Sequence, residues 1–213
     1  RKIVAILGIF CAGTPATAGV LQLLSKLEVS PESVREIGFR GNGWPGYFSV
    51  KQLYGPGISR LSYEESWGFL QAFRPFRCFV CPDGTSEFAD ISFGDPWYRA
   101  IDEHELGRSL IIARSPLGVR IINSAEKAGY ISIKEVGLQI LEYSQYNLLM
   151  KRRAIWGRLL AMRLFGLPVP QYKGFSLHKS WSELDFAQKG ISLIGTGRRI
   201  LRRKLYHSVK WKC

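Results

Sequence analysis

The sequence predicts an α+β fold: a mixed β-sheet flanked by helices, followed by a basic helical C-terminal extension. Strand-like and helix-like segments alternate through residues 1–135, which is typical of a sheet covered by helices. The chain has 213 residues, of which 46% are hydrophobic and 22% charged. That composition is globular and excludes disorder of the whole chain. No apolar run reaches the roughly 18 residues that a transmembrane helix needs, so we expect no membrane span.

The first two thirds of the chain predict short elements in alternation. Residues 3–10 form an apolar run that we interpret as a buried strand. Thr14-Pro15 then predicts a helix N-terminus, with Thr as the cap and Pro at the first helical position. The same reasoning predicts further strands at 36–40, 47–53, 58–61, 89–93, 109–113 and 130–133, and helices opening at Ser30-Pro31, Ser62-x-x-Glu65 and Ser115-Pro116.

From Glu135 onward the pattern is helical. One helix ends at the Gly-Leu-Pro-Val-Pro run of residues 166–170, and Ser180-x-x-Glu183 predicts the start of another. We therefore expect one domain over residues 1–150 and a basic helical extension over 151–213.

The net charge is concentrated in that extension. Residues 1–150 hold 15 Lys and Arg and 15 Asp and Glu, whereas residues 151–213 hold 15 Lys and Arg and two acidic residues, so the whole excess of +13 lies there. Such asymmetry indicates an anionic ligand: a phosphate-bearing cofactor, an acidic protein, an anionic membrane face or, least favoured, nucleic acid. A solvated basic helix is the alternative. We expect its apolar face to dock on the domain through Ile200, Leu201, Leu205 and Val209.

The most specific local signal is the pair Cys78-x-x-Cys81. Four cysteines are too few for a disulfide scaffold, which favours a reducing, cytoplasmic compartment and a metal or redox role. A zinc ribbon would require a second C-x-x-C pair, and a thioredoxin-like site would place the pair after a strand rather than after a helix. An iron–sulfur cluster needs about four thiolates. Cys11 is a candidate third ligand, with a buried structural thiol as the alternative reading.

Two carboxylates and a glycine-rich loop form the other candidate site. Asp90 and Asp95 bracket a short strand and could accept hydrogen bonds from a ribityl or ribose hydroxyl, or cap a turn. The loop of residues 41–46 lets a ligand approach the backbone closely and offers Trp44 as a stacking surface. No G-x-G-x-x-G segment after a strand and no Walker A sequence is present, so neither of those nucleotide sites is predicted.

Four motifs in order resemble the C-terminal domain of the coenzyme F-420 hydrogenase/dehydrogenase beta subunit family. They are residues 9–15, residues 40–46, Cys78-x-x-Cys81 leading to residues 89–95, and residues 107–111. The resemblance covers roughly residues 3–135, and residues 148–170 are similar to a bacterial branch. Members carry FAD and 4Fe-4S clusters and pass electrons between a deazaflavin, a ferredoxin or another donor and a second substrate; the plant and cyanobacterial branch reduces chlorophyll intermediates.

The resemblance implies a set of site residues. Cys11, Cys78 and Cys81 would be cluster ligands, and no catalytic residue is assigned. The positions around the flavin or the cluster would be Gly13, Thr14, Asn42, Gly43, Asp90, Gly94 and Asp95. Family members carry a further N-terminal region with more cysteines, so we expect the fourth ligand to lie there rather than at Cys213.

The resemblance, together with the cysteine pair, implies an iron–sulfur flavoprotein oxidoreductase, or the C-terminal portion of one, whose activity can depend on the rest of the enzyme. Its cofactors would be a 4Fe-4S cluster and FAD, with coenzyme F-420 as a candidate third. Its partner would be a redox protein or a deazaflavin donor. The alternative is a non-enzymatic binding protein that uses the basic segment on nucleic acid or an anionic membrane, with structural cysteines.

Overall fold

A computed structural model describes residues 3–41, 43–54, 57–98 and 107–206. The chain divides into two compact units. The first unit comprises residues 1–78 and 85–145, and the second comprises residues 79–84 and 146–213. None of the helices in the described ranges is long and apolar enough to cross a membrane.

The described residues form six strands and eight α-helices. The strands are β1 (Leu7–Ile9), β2 (Val34–Gly38), β3 (Phe48–Gln52), β4 (Ile58–Leu61), β5 (Ile91–Gly94) and β6 (Leu110–Ala113). The helices are α1 (Thr17–Lys26), α2 (Tyr63–Leu70), α3 (Phe76–Val80), α4 (Pro116–Lys127), α5 (Gln139–Arg153), α6 (Ile155–Leu164), α7 (Leu177–Ser182) and α8 (Phe186–Arg202). This mixture confirms the predicted α+β class.

Two three-stranded sheets lie in the first unit. The first has the order β1-β5-β6, with β1 parallel and β6 antiparallel to β5, so the predicted mixed sheet is present. The second, β2-β3-β4, is antiparallel throughout. Its β3–β4 hairpin is the one that the sequence predicts between residues 47 and 61.

The core of the first unit packs α1 and α2 against the second sheet. Leu23 and Leu24 of α1, Phe48 and Val50 of β3, and Leu70 of α2 are all buried. The two leucines lie on one face of α1 because adjacent positions of a helix are 100° apart, within the width of an apolar stripe. Burying such side chains stabilises the unit by roughly 1.5–3 kcal/mol each.

The second unit contains α6, α7 and α8, together with the second part of α5. Helix α5 is kinked at Gln145 (φ −129°, ψ 27°), where the first unit ends. Ile155 of α6 and Ile200 of α8 are fully buried. A Cβ on Gly157 would lie 2.2 Å from Ser192 Oγ, so glycine lets α6 approach α8 closely.

Local sequence signals located several helix starts correctly. Ser62 accepts a hydrogen bond from the Glu65 backbone N–H at 3.1 Å while the Glu65 carboxylate accepts from the Ser62 N–H at 2.9 Å, which is the predicted capping box of α2. Ser115 caps α4 and Pro116 is its first residue. The predicted strands near residues 89–93 and 109–113 are β5 and β6.

The prediction of a long buried first strand was wrong. Only Leu7–Ile9 pair as a strand, and Ile3, Leu7 and Ile9 are 83%, 62% and 71% exposed. The physical reason is position: β1 is the edge of its sheet and pairs only with β5 among the described residues. An apolar run alone does not distinguish an edge strand from a central one.

Three other predictions also differ from the structure. Helix α1 begins at Thr17 with Ala16 as N-cap, two residues after the predicted start. Residues 130–133 are not a strand, because they find no partner strand in the described part of the chain. The predicted helix start at Ser180 lies inside α7, and Asp185 caps α8 instead by accepting from the Gln188 N–H at 2.7 Å.

Candidate functional site

The three candidate cluster cysteines lie at two connections of the fold. Cys11 follows β1, Cys78 lies within α3, and Cys81 follows α3 directly. All three thiols are free and partly exposed. Cys11 and Cys78 belong to the first unit, whereas Cys81 belongs to the second.

Gly13 brings the segment after β1 onto Cys78. Its φ is +138°, and a Cβ there would lie 3.1 Å from Cys78 Cβ and 2.7 Å from Arg74 Cδ. The Arg74 Nη1 donates to the Ala12 carbonyl at 2.9 Å, which fixes the same turn. Because Cys11 is two residues from Gly13, the Cα atoms of these two residues are at most about 7.6 Å apart. The segment that follows Cys11 therefore contacts Cys78 of α3.

The third cysteine has its own surroundings in the second unit. The Cys81 Sγ lies 3.7 Å from the Asp83 carbonyl. Among the residues that the structure describes, no three His, Cys, Asp or Glu side chains are placed to hold a metal ion together. The donors themselves, two cysteines that follow β1 and α3 and one within α3, offer the soft sulfur ligands that iron–sulfur clusters use.

Asp90 joins the edge strand to a helix start. One carboxylate oxygen accepts from the Ile6 backbone N–H at 2.9 Å, and the other accepts from the Ser115 hydroxyl. Ser115 in turn accepts from the Gly118 N–H at 3.1 Å. The hydrogen bond from Ser115, followed by that from Ile6, holds the pKa of Asp90 below its usual range. Both carboxylate oxygens of Asp90 therefore bind other parts of the chain. This arrangement is closer to the predicted capping role than to the predicted contact with a ligand hydroxyl.

Asp95 is the centre of a polar cluster on the glycine-rich loop. Its two oxygens lie 2.6 and 3.1 Å from the Arg40 guanidinium nitrogens, and the Trp44 Nε1–H donates to it at 2.9 Å. Arg40 Nε also donates to the Pro45 carbonyl at 2.9 Å. Gln145 donates to the Asp95 carbonyl at 2.7 Å. This bidentate ion pair between Arg40 and Asp95 joins the glycine-rich loop to the segment after β5.

Aromatic rings enclose that ion pair. Trp44 stacks on Trp97 with ring centroids 5.1 Å apart and planes 24° apart, and Tyr63 lies 5.2 Å from Trp97. The Arg40 guanidinium is 5.5 Å from the Tyr63 ring centre. Burial raises the pKa of Tyr63, and the neighbouring Arg40 opposes that rise. One face of Trp44, the residue expected to stack on a ligand, is therefore occupied by Trp97.

The other predicted positions differ in their surroundings. A Cβ on Gly94 would lie 2.1 Å from the Phe10 ring, so this glycine serves the packing of Phe10. Gly43 is exposed, and a Cβ there would contact nothing within 4 Å. Thr14 lies in the loop between β1 and α1. Asn42 lies outside the described residues.

Sequence reasoning did not assign roles to Arg40, Tyr63 or Trp97. Arg40 directly precedes the glycine-rich loop, and Trp97 comes two residues after Asp95. A basic residue and an aromatic residue beside two candidate segments are the signal that could have singled out Arg40 and Trp97.

In the second unit, three arginines of the basic segment contact Phe79, which lies between the paired cysteines. The Arg199 and Arg203 guanidinium carbons lie 4.3 and 5.2 Å from the Phe79 ring centre. Arg158 Nη1 donates to the Phe79 carbonyl at 2.5 Å. Ile200 is fully buried while Leu201 is 54% exposed, so only part of the expected apolar face is covered. Leu205 is half-buried, and Val209 lies outside the described residues.

Comparison with known proteins agrees with the motifs. No protein of curated function matches the chain. The family model that describes the C terminus of the beta subunit of coenzyme F420 hydrogenase/dehydrogenase matches residues 1–138. That range includes Cys11, Cys78, Cys81, both carboxylates and the glycine-rich loop, and it covers more than half of the chain. The chain therefore belongs to the C-terminal domain family of the coenzyme F420 hydrogenase/dehydrogenase beta subunits, a family of redox enzyme subunits.

Proposed function

We propose that this chain is the C-terminal, cluster-binding part of a cytoplasmic iron–sulfur flavoprotein. It would pass electrons between a deazaflavin or ferredoxin-type donor and a second substrate. Membership in a family of redox subunits supports the reaction class. The approach of Gly13 to Cys78 supports the cluster assignment, because the segment that follows Cys11 contacts the helix that carries Cys78.

Cys11, Cys78 and Cys81 would hold the cluster. When bound, a 4Fe-4S cluster relays single electrons, and FAD exchanges pairs of them as hydride. The role of the chain is to position the thiolates. Arg74 fixes the turn that follows Cys11 through the Ala12 carbonyl, and α3 fixes Cys78.

The flavin would lie at the glycine-rich loop, with Thr14, Asn42 and Gly43 beside it. A Cβ at Gly41 or at Gly43 would meet nothing within 4 Å, so the loop backbone is open to a ligand. The Arg40–Asp95 pair holds this loop in place. Its carboxylate already accepts three hydrogen bonds, so we assign Asp95 to positioning the loop rather than to contacting the flavin.

The test is an anaerobic preparation of the complete natural protein. We expect a brown solution with absorbance near about 400 nm, acid-labile sulfide and bound flavin. Cys78→Ser and Cys81→Ser should lose iron and the cluster's paramagnetic resonance signal. The matched control is Cys213→Ser, which removes the thiol that we do not assign and should retain iron.

Two results would contradict the proposal. Full iron content in Cys78→Ser would remove the cysteine from the ligand set. Colourless wild-type protein after anaerobic iron–sulfur reconstitution would exclude the cluster altogether.

A further inference from the structure

The second unit contains a cavity of about 400 Å³, outside the residues that the family model matches. It lies between the second part of α5, helix α6 and helix α8. Binding sites for small molecules commonly have volumes of about 300–1,000 Å³. The lining residues are Tyr146, Asn147, Met150, Lys151, Ala154, Arg158, Leu184, Gln188, Ile191, Ser192, Gly195, Thr196 and Arg199.

The cavity wall is cationic. Each of the three helices contributes one basic side chain, Lys151, Arg158 and Arg199, and the described residues that line the cavity include no carboxylate. The whole unit holds 15 Lys and Arg against three acidic residues, Asp83, Glu183 and Asp185. Three carboxylates cannot neutralise fifteen cations, so an anion entering the cavity meets a positive potential.

Two of these cations are already held in position. Arg158 donates to the Phe79 carbonyl and Arg199 stacks on the Phe79 ring. A guanidinium over an aromatic ring keeps its charge, and its N–H donors lie in the guanidinium plane, where they can meet another acceptor. Side chains ordered in this way lose less conformational entropy when a ligand binds.

The rest of the lining suits an organic body. Met150, Leu184 and Ile191 are apolar, and Asn147 and Gln188 supply amide groups. The wall at Gly195 is open, since a Cβ there would contact nothing within 4 Å. An inorganic anion would leave the apolar wall uncovered, whereas a phosphate ester would use both kinds of surface.

We propose that this cavity binds a small phosphate-bearing organic molecule, with the phosphate on Lys151, Arg158 and Arg199 and the organic part against Met150, Leu184 and Ile191. Planar guanidinium groups match phosphate oxygens in pairs, and a dianion offers the charge that three cations favour. This site is distinct from the proposed cluster and flavin sites, although Arg158 and Arg199 contact Phe79, which lies between two of the proposed cluster ligands.

Isothermal titration of the full chain with phenyl phosphate and with inorganic phosphate tests the proposal. We expect phenyl phosphate to bind more tightly, because only it covers the apolar wall. Gly195→Leu fills the cavity without altering charge and should weaken phenyl phosphate binding by about tenfold or more. The matched control is Gly190→Leu: it lies on the same helix, its Cβ also meets nothing within 4 Å, and it does not line the cavity. It should leave the affinity unchanged.

A second pair of variants tests the charge. Lys151→Gln should weaken both probes and reduce the salt dependence of binding, whereas Lys179→Gln, an exposed cation outside the cavity, should not. Equal losses in Gly195→Leu and Gly190→Leu, or equal losses in the two lysine variants, would show that the anion binds the general basic surface. Binding to vesicles of anionic phospholipid without binding to phenyl phosphate would also overturn the proposal, because the source of the phosphate would then be a membrane.

Discussion

The two units use their charges in opposite ways. The first holds 15 Lys and Arg against 14 Asp and Glu, and its carboxylates bind defined partners. Asp90 joins β1 to the start of α4, and Asp95 joins the glycine-rich loop to the segment after β5. The second unit has a net charge of +12. Several of its cations lie over aromatic rings: Arg199 and Arg203 on Phe79, Arg152 on Phe175, and Lys189 on Trp181.

Carboxylates and aromatic rings have different effects on the charge of the cation that they bind. A carboxylate that accepts two or three hydrogen bonds fixes geometry and cancels charge at once. An aromatic face positions a cation but leaves its charge in place. The carboxylates Asp90 and Asp95 of the first unit thus bind defined partners, while the second unit keeps a net charge of +12.

The largest effect is expected from packing in the first unit. Gly94→Val places a Cβ where the Phe10 ring now lies, 2.1 Å away, and should destabilise this unit by about 1–3 kcal/mol. Hydrogen exchange read by peptide should show faster exchange in β1, β5 and β6. The control is Gly68→Ala, since a Cβ in that part of α2 meets nothing within 4 Å and should stabilise it by about 0.5–1 kcal/mol. Unchanged exchange in the first sheet of Gly94→Val would refute this account of the glycine.

The ion pair of the aromatic cluster should give the next largest effect. Asp95→Asn removes the charge that faces Arg40 while keeping the shape, and we expect a loss of about 1 kcal/mol. The side chains of Arg40 and Asp95 are 34% and 27% exposed, so solvent screens part of the pair. Arg40→Gln and the double variant complete a thermodynamic cycle. A coupling energy near zero would mean that the rings alone hold the loop.

The features of the fold that could be predicted from the sequence are local. Ser62 with Glu65, and Ser115 with Pro116, are signals within four residues, and both predicted their helices correctly. The contacts of Asp90 depend on residues as far as 84 positions away. No spacing rule gives such a partner, so the sequence could only offer capping or ligand binding as alternatives.

The same limit explains the errors at residues 130–133 and at β1. Strand propensity does not say whether a partner strand exists or whether the strand lies at an edge. The candidate cysteines and the Gly-rich loop could be named from motifs. The approach of Gly13 to Cys78 and the contacts of Arg40 with Tyr63 and Trp97 could not be predicted. Both depend on which loops the sheets bring together.

Acid should weaken the contacts that Asp90 makes in the first unit. The pKa of Asp90 is lowered in the folded chain, first by Ser115 and then by the Ile6 N–H. Its stabilising contribution is therefore fully present above the unfolded pKa of about 3.9 and is lost as the pH falls through the folded value. Protection of the amides at β1 and at the start of α4, after correction for the slower intrinsic exchange at low pH, should fall below about pH 4 in the wild type. Asp90→Asn should flatten that dependence, and an unaltered acid response would show that another carboxylate is responsible.

The smallest expected effect is the change in hydrogen exchange with ionic strength. The sign of this change should differ between the two units. In the first unit salt weakens the attraction between Arg40 and Asp95, whose worth as a part-exposed pair is about 1 kcal/mol or less. In the second unit salt screens repulsion among like charges, because 15 cations face only three carboxylates. Raising the ionic strength shortens the screening length from about 30 Å at 0.01 M to about 8 Å at 0.15 M. Peptides of α6 and α8 should then exchange more slowly, while peptides of the glycine-rich loop exchange slightly faster.

Asp95→Asn should abolish the response of the loop and leave that of α6 and α8 intact. Responses of the same sign in both units would mean that the positive charge of the second unit is already compensated in the folded chain, and the contrast between the units would fail.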